Sequence, residues 1–220
     1  MPSAPSVEVR DRGYIIRTHR LSDTSLIVEW LTEQEGRVPT VARGALRKKS
    51  SLNGKLDLLF FAAISFRKKP RAELHHLQEV DLISTPKKIR RSLKRLNQVA
   101  YFIDLIRRTT ETNTSIPEIF QHFHHAITIA ENYTLGAEFV LWFEWRLLGI
   151  LGLQPEAFDR SLTFAEQEQL MEWNDPTSVT DATIKRETST SNIAGFLGRA
   201  WLEQLGKCPT LRGELLSEPG

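Results

Sequence analysis

The residues with the clearest chemical potential are cations. Arg43-Gly44-Ala45-Leu46-Arg47-Lys48-Lys49-Ser50-Ser51 is followed by Lys55, and Arg67-Lys68-Lys69-Pro70-Arg71 forms a second cluster. Cations on two loops of one small domain converge into a groove that tracks a phosphate backbone. Gly44 admits close approach of the main chain, and Ser50 and Ser51 offer hydroxyl donors to phosphate oxygens. Trp30, Phe60, Phe61 and Phe66 are the candidate stacking partners beside them, with core packing as the competing role. A third group, Lys87, Lys88, Arg90, Arg91, Lys94 and Arg95, lies just downstream.

Catalytic chemistry finds little to run on. His122 and His125 stand at helical i, i+3 spacing, with His124 between them, and make half of a metal site at most. No carboxylate sits between them as in metalloprotease motifs. His75 and His76 are adjacent on an expected strand and point to opposite faces. Cys208 is the single cysteine, which rules out an internal disulfide or a multi-cysteine zinc site. No nucleophile elbow or phosphate-binding glycine loop occurs. The sequence predicts a protein that is not an enzyme, with no metal and no cofactor.

Charge is divided along the chain. Residues 1–110 carry 22 Lys and Arg against 11 Asp and Glu, a balance of +11, while residues 111–220 carry 7 against 16. A basic half facing a polyanion and an acidic half held away from it accounts for that split; a chance surface imbalance is the alternative. With 40% hydrophobic and 25% charged residues, the composition is that of a globular protein. The longest apolar run, Phe139 to Leu153, carries Glu144 and Arg146 and is too short to span about 30 Å of bilayer. No secretory signal is visible at the N-terminus, so the expected location is cytoplasmic.

These cations must be positioned by the elements around them. Tyr14–His19, Thr24–Thr32, Arg37–Ala42, Leu56–Phe66 and Glu73–Ile83 read as five strands, with Leu26, Val28 and Trp30 on one face of the second. Pro39 belongs at an edge or bulge. Five short strands with a long polar connection after the third fit an OB-type barrel, and an SH3-like barrel fits the count nearly as well. From Pro86 the period becomes helical, with Ile89, Leu93, Leu96, Ala100 and Ile103 in one stripe and the third cationic group opposite. Further helices are expected over Glu118–Ala130, Leu135–Leu151 (closed by Gly152 and Pro155), a capping box at Thr163–Glu166 leading to Trp173, and Ile193–Leu205, stopped by Gly206 and Pro209. Asn174–Asn192 reads as a polar loop. The fold class is α+β, with a barrel domain over 1–83 and an all-helical domain over 84–220.

At the same residues the chain resembles the RecO family of bacterial recombination mediators. The resemblance runs through Ile15-Ile16-Arg17-Thr18, Ser22-Asp23-Thr24-Ser25-Leu26-Ile27-Val28, Leu31-Thr32-Glu33 and Gly36-Arg37-Val38. Its most specific block is Val41-Ala42-Arg43-Gly44-Ala45-Leu46-Arg47-Lys48-Lys49-Ser50. Phe139 to Pro155 is similar to the family's central helix with its closing leucine-glycine-x-proline. The resemblance spans about residues 13–155 and fades beyond.

The resemblance implies an OB-fold domain joined to a helical domain, binding of single- and double-stranded DNA, and annealing of complementary strands. It also implies partnership with RecR and recognition of the C-terminal tail of single-stranded DNA-binding protein, so that RecA replaces that protein on DNA. Many members carry a four-cysteine zinc motif after the central helix; this chain has no cysteine before Cys208, which implies a zinc-free member. The expected DNA-binding residues are Arg43, Arg47, Lys48, Lys49, Lys55, Arg67, Lys68, Lys69, Lys88, Arg91 and Arg95. The expected tail-binding cations are Arg107, Arg108 and Arg146. An RNA-binding OB protein, such as a ribosome assembly factor, is the alternative reading, because a basic groove does not by itself distinguish sugars. A hydrolase using a metal on His122 and His125 is a third.

Overall fold

The computed structural model describes residues 6–69, 72–133, 136–175 and 190–217. Five strands come first: β1 (Val7–Arg20), β2 (Leu26–Thr32), β3 (Gly36–Ala42), β4 (Phe61–Lys68) and β5 (His75–Ser84). They close into a barrel in the order β1-β2-β3-β5-β4, with β4 paired back onto β1. Every pairing is antiparallel except β3 with β5, which meet only at Thr40–His75 and Val41–His76. Pro39 falls just outside that two-residue contact, on the stretch of β3 that β5 does not cover.

β1 is 14 residues long because it serves two partners. Val7 to Tyr14 pair with β4, Gly13 to Arg20 pair with β2, and the register shifts between Ile15 and Arg17. The strand therefore begins seven residues before the Tyr14 start that the sequence predicts. Its first half is charged and does not alternate cleanly, and its inward Asp11 is an acceptor, taking the N–H groups of Gln34 and Glu35 at 3.0 Å. β4 likewise begins at Phe61, not Leu56, because Leu59 turns at φ 65°. The inward faces of β2 and β4 are as the alternation predicts. Val28, Trp30, Ile64 and Phe66 meet Ile15, Val38, Leu77 and Val80 in the core. The Trp30 indole N–H donates to Thr40 Oγ1 at 3.0 Å, and Thr40 donates to the Val28 carbonyl, so the polar atoms in this core are satisfied.

The chain divides into two compact units. The first takes in the chain up to Pro86 together with Thr109–Gln121. That later segment runs beside the uncovered part of β3. Arg37 donates to Thr110 Oγ1 (2.8 Å) and O (2.6 Å) while its other arm pairs with buried Glu29, and Asn113 N–H donates to the Arg37 carbonyl at 2.7 Å. Gly36 has φ +72°, and a Cβ there would lie 1.9 Å from the Thr114 carbonyl oxygen, so only glycine fits.

The second unit holds Lys87–Arg108 and the chain from His122 onward. Its helices are α1 (Leu93–Thr109), the greater part of α2 (Pro117–Asn132), α3 (Ala137–Ile150), α4 (Phe164–Glu172), α5 (Ser191–Leu205) and α6 (Leu211–Ser217). α3 is buried nearly all round, and Phe143 stacks on Phe102 of α1 at 3.8 Å between ring centroids. Fully buried Glu144 accepts two hydrogen bonds from Arg212 of α6 (2.8 and 2.9 Å) and one from the Tyr101 hydroxyl. Burial opposes the charge on Arg212, but Glu144 outweighs it and holds the guanidinium above its ordinary pKa. The capping box forms: Thr163 Oγ1 accepts the Glu166 N–H at 3.3 Å, and Glu166 accepts the Thr163 N–H at 2.8 Å. Gly206 ends α5 at φ +67°.

One expected element is corrected. The continuous helix from Pro86 is interrupted: Ile89–Arg91 form a single 3₁₀ turn, Ser92 is extended, and α1 starts at Leu93. Ser92 caps α1, its hydroxyl facing the Arg95 N–H and its carbonyl taking the Leu96 N–H at 2.9 Å. That break resets the helical phase. Leu93, placed on the apolar stripe, is 74% exposed, and the buried face runs through Val99, Phe102, Ile103 and Ile106. Helix α6 lies where no helix is expected, and residues 176–189 of the expected polar loop fall outside the described residues, while Ser191 and Asn192 open α5. No described helix is long and apolar enough to cross a membrane.

Candidate nucleic-acid interface

The register of the barrel brings two connections to one end. Ala42 lies opposite Leu26, and Leu26 opposite Arg20, so β3 ends beside the β1–β2 turn. The β4–β5 turn lies at the other end, where Lys68 is opposite Val7 and bonds Glu35 of the β2–β3 turn. The β3–β4 connection starts at the β1–β2 end as a run of tight turns. Arg47 N–H donates to the Gly44 carbonyl, Ser50 to Arg47 and Asn53 to Ser50, at 2.9 to 3.1 Å. Ala45 and Leu52 are buried and anchor the run. Between these anchors Arg47, Lys48 and Lys49 are exposed, as is Arg43 before them. Gly44 adopts φ +66°, the left-handed turn that lets Arg47 fold back beside it.

This basic turn is tied to the β1–β2 turn. Gly44 N–H donates to Ser25 Oγ at 3.2 Å, and Leu46 N–H donates to the Thr24 carbonyl at 3.0 Å. The Ser25 carbonyl in turn takes the N–H groups of Leu21 and Ser22. Between the two turns lies a shallow concavity of about 410 Å³ lined by Leu21, Thr24, Ser25, Val41, Arg43, Gly44 and Arg47. Arg43, Arg47, Lys48 and Lys49 have no side-chain hydrogen bond or ion pair among the described residues, so their charge faces solvent.

The other expected cations differ in what they do. Lys55 reaches back to the Val80 carbonyl at 2.7 Å, with Asp81 3.9 Å away, and Lys68 pairs with Glu35, so both hold the barrel together. Arg67 and Lys69 are exposed at the β4–β5 end; Arg71 lies outside the described residues. In the second unit Lys88 and Arg91 are exposed around the 3₁₀ turn, and Arg95 is half-buried with its guanidinium 3.4 Å from the Glu131 carbonyl. Two exposed cations escaped the sequence reading: Arg17 and Arg20, on the far half of β1. Their signal was their place immediately before the Ser22–Ser25 turn.

The aromatic residues do not stand beside the cations. Trp30, Phe61 and Phe66 are buried, and Phe60 packs against the core, so of the two roles weighed for these residues core packing is the one they take. Of the tail-binding candidates, Arg108 pairs with Asp104 at 2.8 Å, Arg146 donates to the Asn174 carbonyl, and Arg107 is half-buried at the end of α1. Burial holds the Arg146 guanidinium below its ordinary pKa, against the pull of Asp175. His122 is buried, lies flat against Phe143 and bonds the Phe143 carbonyl at 3.1 Å; burial pushes its pKa down to about 3. Among the described residues no three His, Cys, Asp or Glu side chains cluster as metal ligands.

A basic five-stranded β unit followed by helices, with an exposed cationic turn at one barrel end, defines an α+β protein. Two family models match it: Recombination protein O N terminal over residues 6–86, and Recombination protein O C terminal over residues 90–176. The chain belongs to the Recombination protein O (RecO) family of DNA repair proteins. It is 33% identical over 141 residues to the DNA repair protein RecO of Rhodopirellula baltica, covering 64% of this chain and 52% of that protein. To the DNA repair protein RecO of Pasteurella multocida it is 29% identical over 173 residues, covering 74% of this chain and 70% of the relative. To that of Syntrophus aciditrophicus it is 26% identical over 146 residues, covering 66% and 56%. The chain thus spans little more than half the length of two of these three relatives.

Proposed function

We propose that this chain is a non-enzymatic recombination mediator that binds single- and double-stranded DNA and anneals complementary strands, and that the barrel is of the OB type. One observation carries the reading: Arg43, Arg47, Lys48 and Lys49 are held out to solvent on a turn pinned to the barrel by the Ser25–Gly44 bond. In OB folds the loops flanking the barrel face bind oligonucleotides. Cations there neutralise phosphates on two strands and lower their mutual repulsion. Arg67 and Lys69 add exposed cations to the barrel unit and Lys88, Arg91 and Arg95 offer cations on the helical unit, while Lys55 and Lys68 are engaged by the Val80 carbonyl and Glu35.

Division of labour follows the two units, close to the domains expected at 1–83 and 84–220 except that Thr109–Gln121 belongs with the barrel. The helical domain holds the acidic, apolar-ended tail of single-stranded DNA-binding protein, with Arg146, Arg107 and Arg108 as its cations. With RecR, the chain helps RecA replace that protein on DNA, in the cytoplasm at the nucleoid. No zinc or cofactor takes part; the C-terminal helices are held by packing on α3 and by the Arg212–Glu144 pair.

The test is strand annealing on complementary DNA coated with single-stranded DNA-binding protein, with matched RNA as control. Annealing of the coated DNA is the expected result; binding confined to RNA rejects the reading. Arg146→Ala should spare annealing of bare strands and weaken an acidic tail peptide, because one lost charged contact costs roughly 1.5–3 kcal/mol.

A further inference from the structure

We infer that the barrel grips a nucleic-acid strand by its sugar–phosphate chain alone, in the concavity between the β1–β2 turn and the basic turn, and leaves the bases outside and unread. The inference rests on the DNA-binding reading and says how that binding is made. Two observations and one physical argument carry it.

The first is the lining of the concavity. Arg43 and Arg47 supply two guanidinium forks, which match phosphate oxygens in pairs. The hydroxyls of Thr24 and Ser25 stand beside them; Ser25 Oγ accepts the Gly44 N–H and keeps its own hydrogen to donate. Leu21 and Val41 give an aliphatic wall that suits the C–H face of a deoxyribose.

The second is what the wall lacks. Proteins that hold single strands without sequence preference combine a basic groove with aromatic side chains on which bases stack. Here Tyr14, Trp30, Phe61 and Phe66 are buried and Phe60 packs on the core, and the barrel's exposed large apolar side chains, such as Leu21, Leu46 and Leu74, are aliphatic. Trp30 is further fixed by its bond to Thr40. The residues lining the concavity therefore present cations without an indole, phenol or phenyl face, and half-buried Phe60 is not among them.

The third is consistency with annealing. A strand held by stacked bases must release them before it can pair. One held by its phosphates already presents its Watson–Crick edges to a complement while its charge is partly neutralised. A grip without stacking serves strand pairing better than it serves strand storage.

The experiment compares two labelled single strands of equal length, a thymidine oligomer and an abasic oligomer of the same sugar–phosphate chain, by fluorescence anisotropy on the full chain. The expected result is that their Kd values agree within about twofold, and that Arg43→Ala with Arg47→Ala weakens both by the same factor, about tenfold or more. Each stacked base would make the abasic oligomer bind at least about fivefold more weakly. A loss of that size with the thymidine oligomer still bound overturns the inference and leaves DNA binding standing. Equal binding that the double variant does not weaken places the grip elsewhere and overturns it too. If neither oligomer binds, the inference falls together with the DNA-binding reading.

Discussion

Arginines beside the basic turn of the barrel and arginines that hold the C-terminal helices play opposite parts. In the barrel unit Arg17, Arg20, Arg43 and Arg47 are exposed and have no side-chain partner among the described residues. In the helical unit Arg212 is bound to Glu144, Arg108 to Asp104, Arg146 to the Asn174 carbonyl and Arg199 to Ser161. The difference teaches that available charge is a property of placement rather than of composition. A guanidinium that answers a buried carboxylate cannot also answer a phosphate without leaving that carboxylate unpaired. The barrel also holds paired arginines: Arg10 meets Glu8, Arg12 meets Glu33, and Arg37, through Glu29 and its bonds to Thr110, holds the Thr109–Gln121 segment against β3.

The contrast makes predictions of decreasing size. Arg212→Ala leaves Glu144 buried with only the Tyr101 hydroxyl, and should cost about 3–5 kcal/mol of stability in a urea titration; a cost under about 1 kcal/mol would mean that this pair does not hold α6. His122 comes next. Its folded pKa, about 3, lies below the ordinary 6.5, so the unfolded chain binds its proton first as pH falls. The stability is complete above about pH 6.5, and up to about 2 kcal/mol should be lost between pH 7 and 5, at about 1.4 kcal/mol per pH unit once the unfolded imidazole is charged. Urea midpoints measured against pH read this directly, and His122→Phe should flatten that part of the profile.

On the barrel the sign of the outcome reverses: stability stays and binding goes. Reversing Arg47, Lys48 and Lys49 to Glu should weaken single-stranded DNA at least about tenfold and abolish annealing of bare strands. The melting temperature and the affinity for a tail peptide should hold, because these side chains touch nothing that the fold needs. Intact annealing would move the DNA path to Lys88, Arg91 and Arg95. The smallest effect belongs to Ser25. Ser25→Ala frees the Gly44 N–H and loosens the basic turn, a loss of about 0.5–1.5 kcal/mol that should appear as a few-fold weaker DNA binding, with Ser25→Thr restoring it.

The sequence carried the parts of this structure that local pattern dictates. Val28 and Trp30, or Ile64 and Phe66, alternate because one face of each strand is buried, and Thr163 with Glu166 forms a cap from residues three apart. What escaped was decided over distance. The first half of β1 is fixed by Asp11 meeting backbone N–H groups 23 and 24 positions away, and α6 is held by Arg212 reaching Glu144 across 68. Ser92 was a local cap signal hidden inside an apolar stripe that continued through it. The basic turn was readable as charge, but nothing near Lys55 or Lys68 announces that their ammonium groups bind the Val80 carbonyl and Glu35.

The central claim is that exposed barrel cations hold DNA by neutralising phosphates, and its most direct test is the salt dependence of single-strand binding. If about five phosphates are neutralised, log K should fall against log salt with a slope of roughly −3 to −4, and replacing Arg47, Lys48 and Lys49 by Ala should make that slope shallower by about 2. A slope near zero, or one that the triple replacement leaves unchanged, would contradict the account.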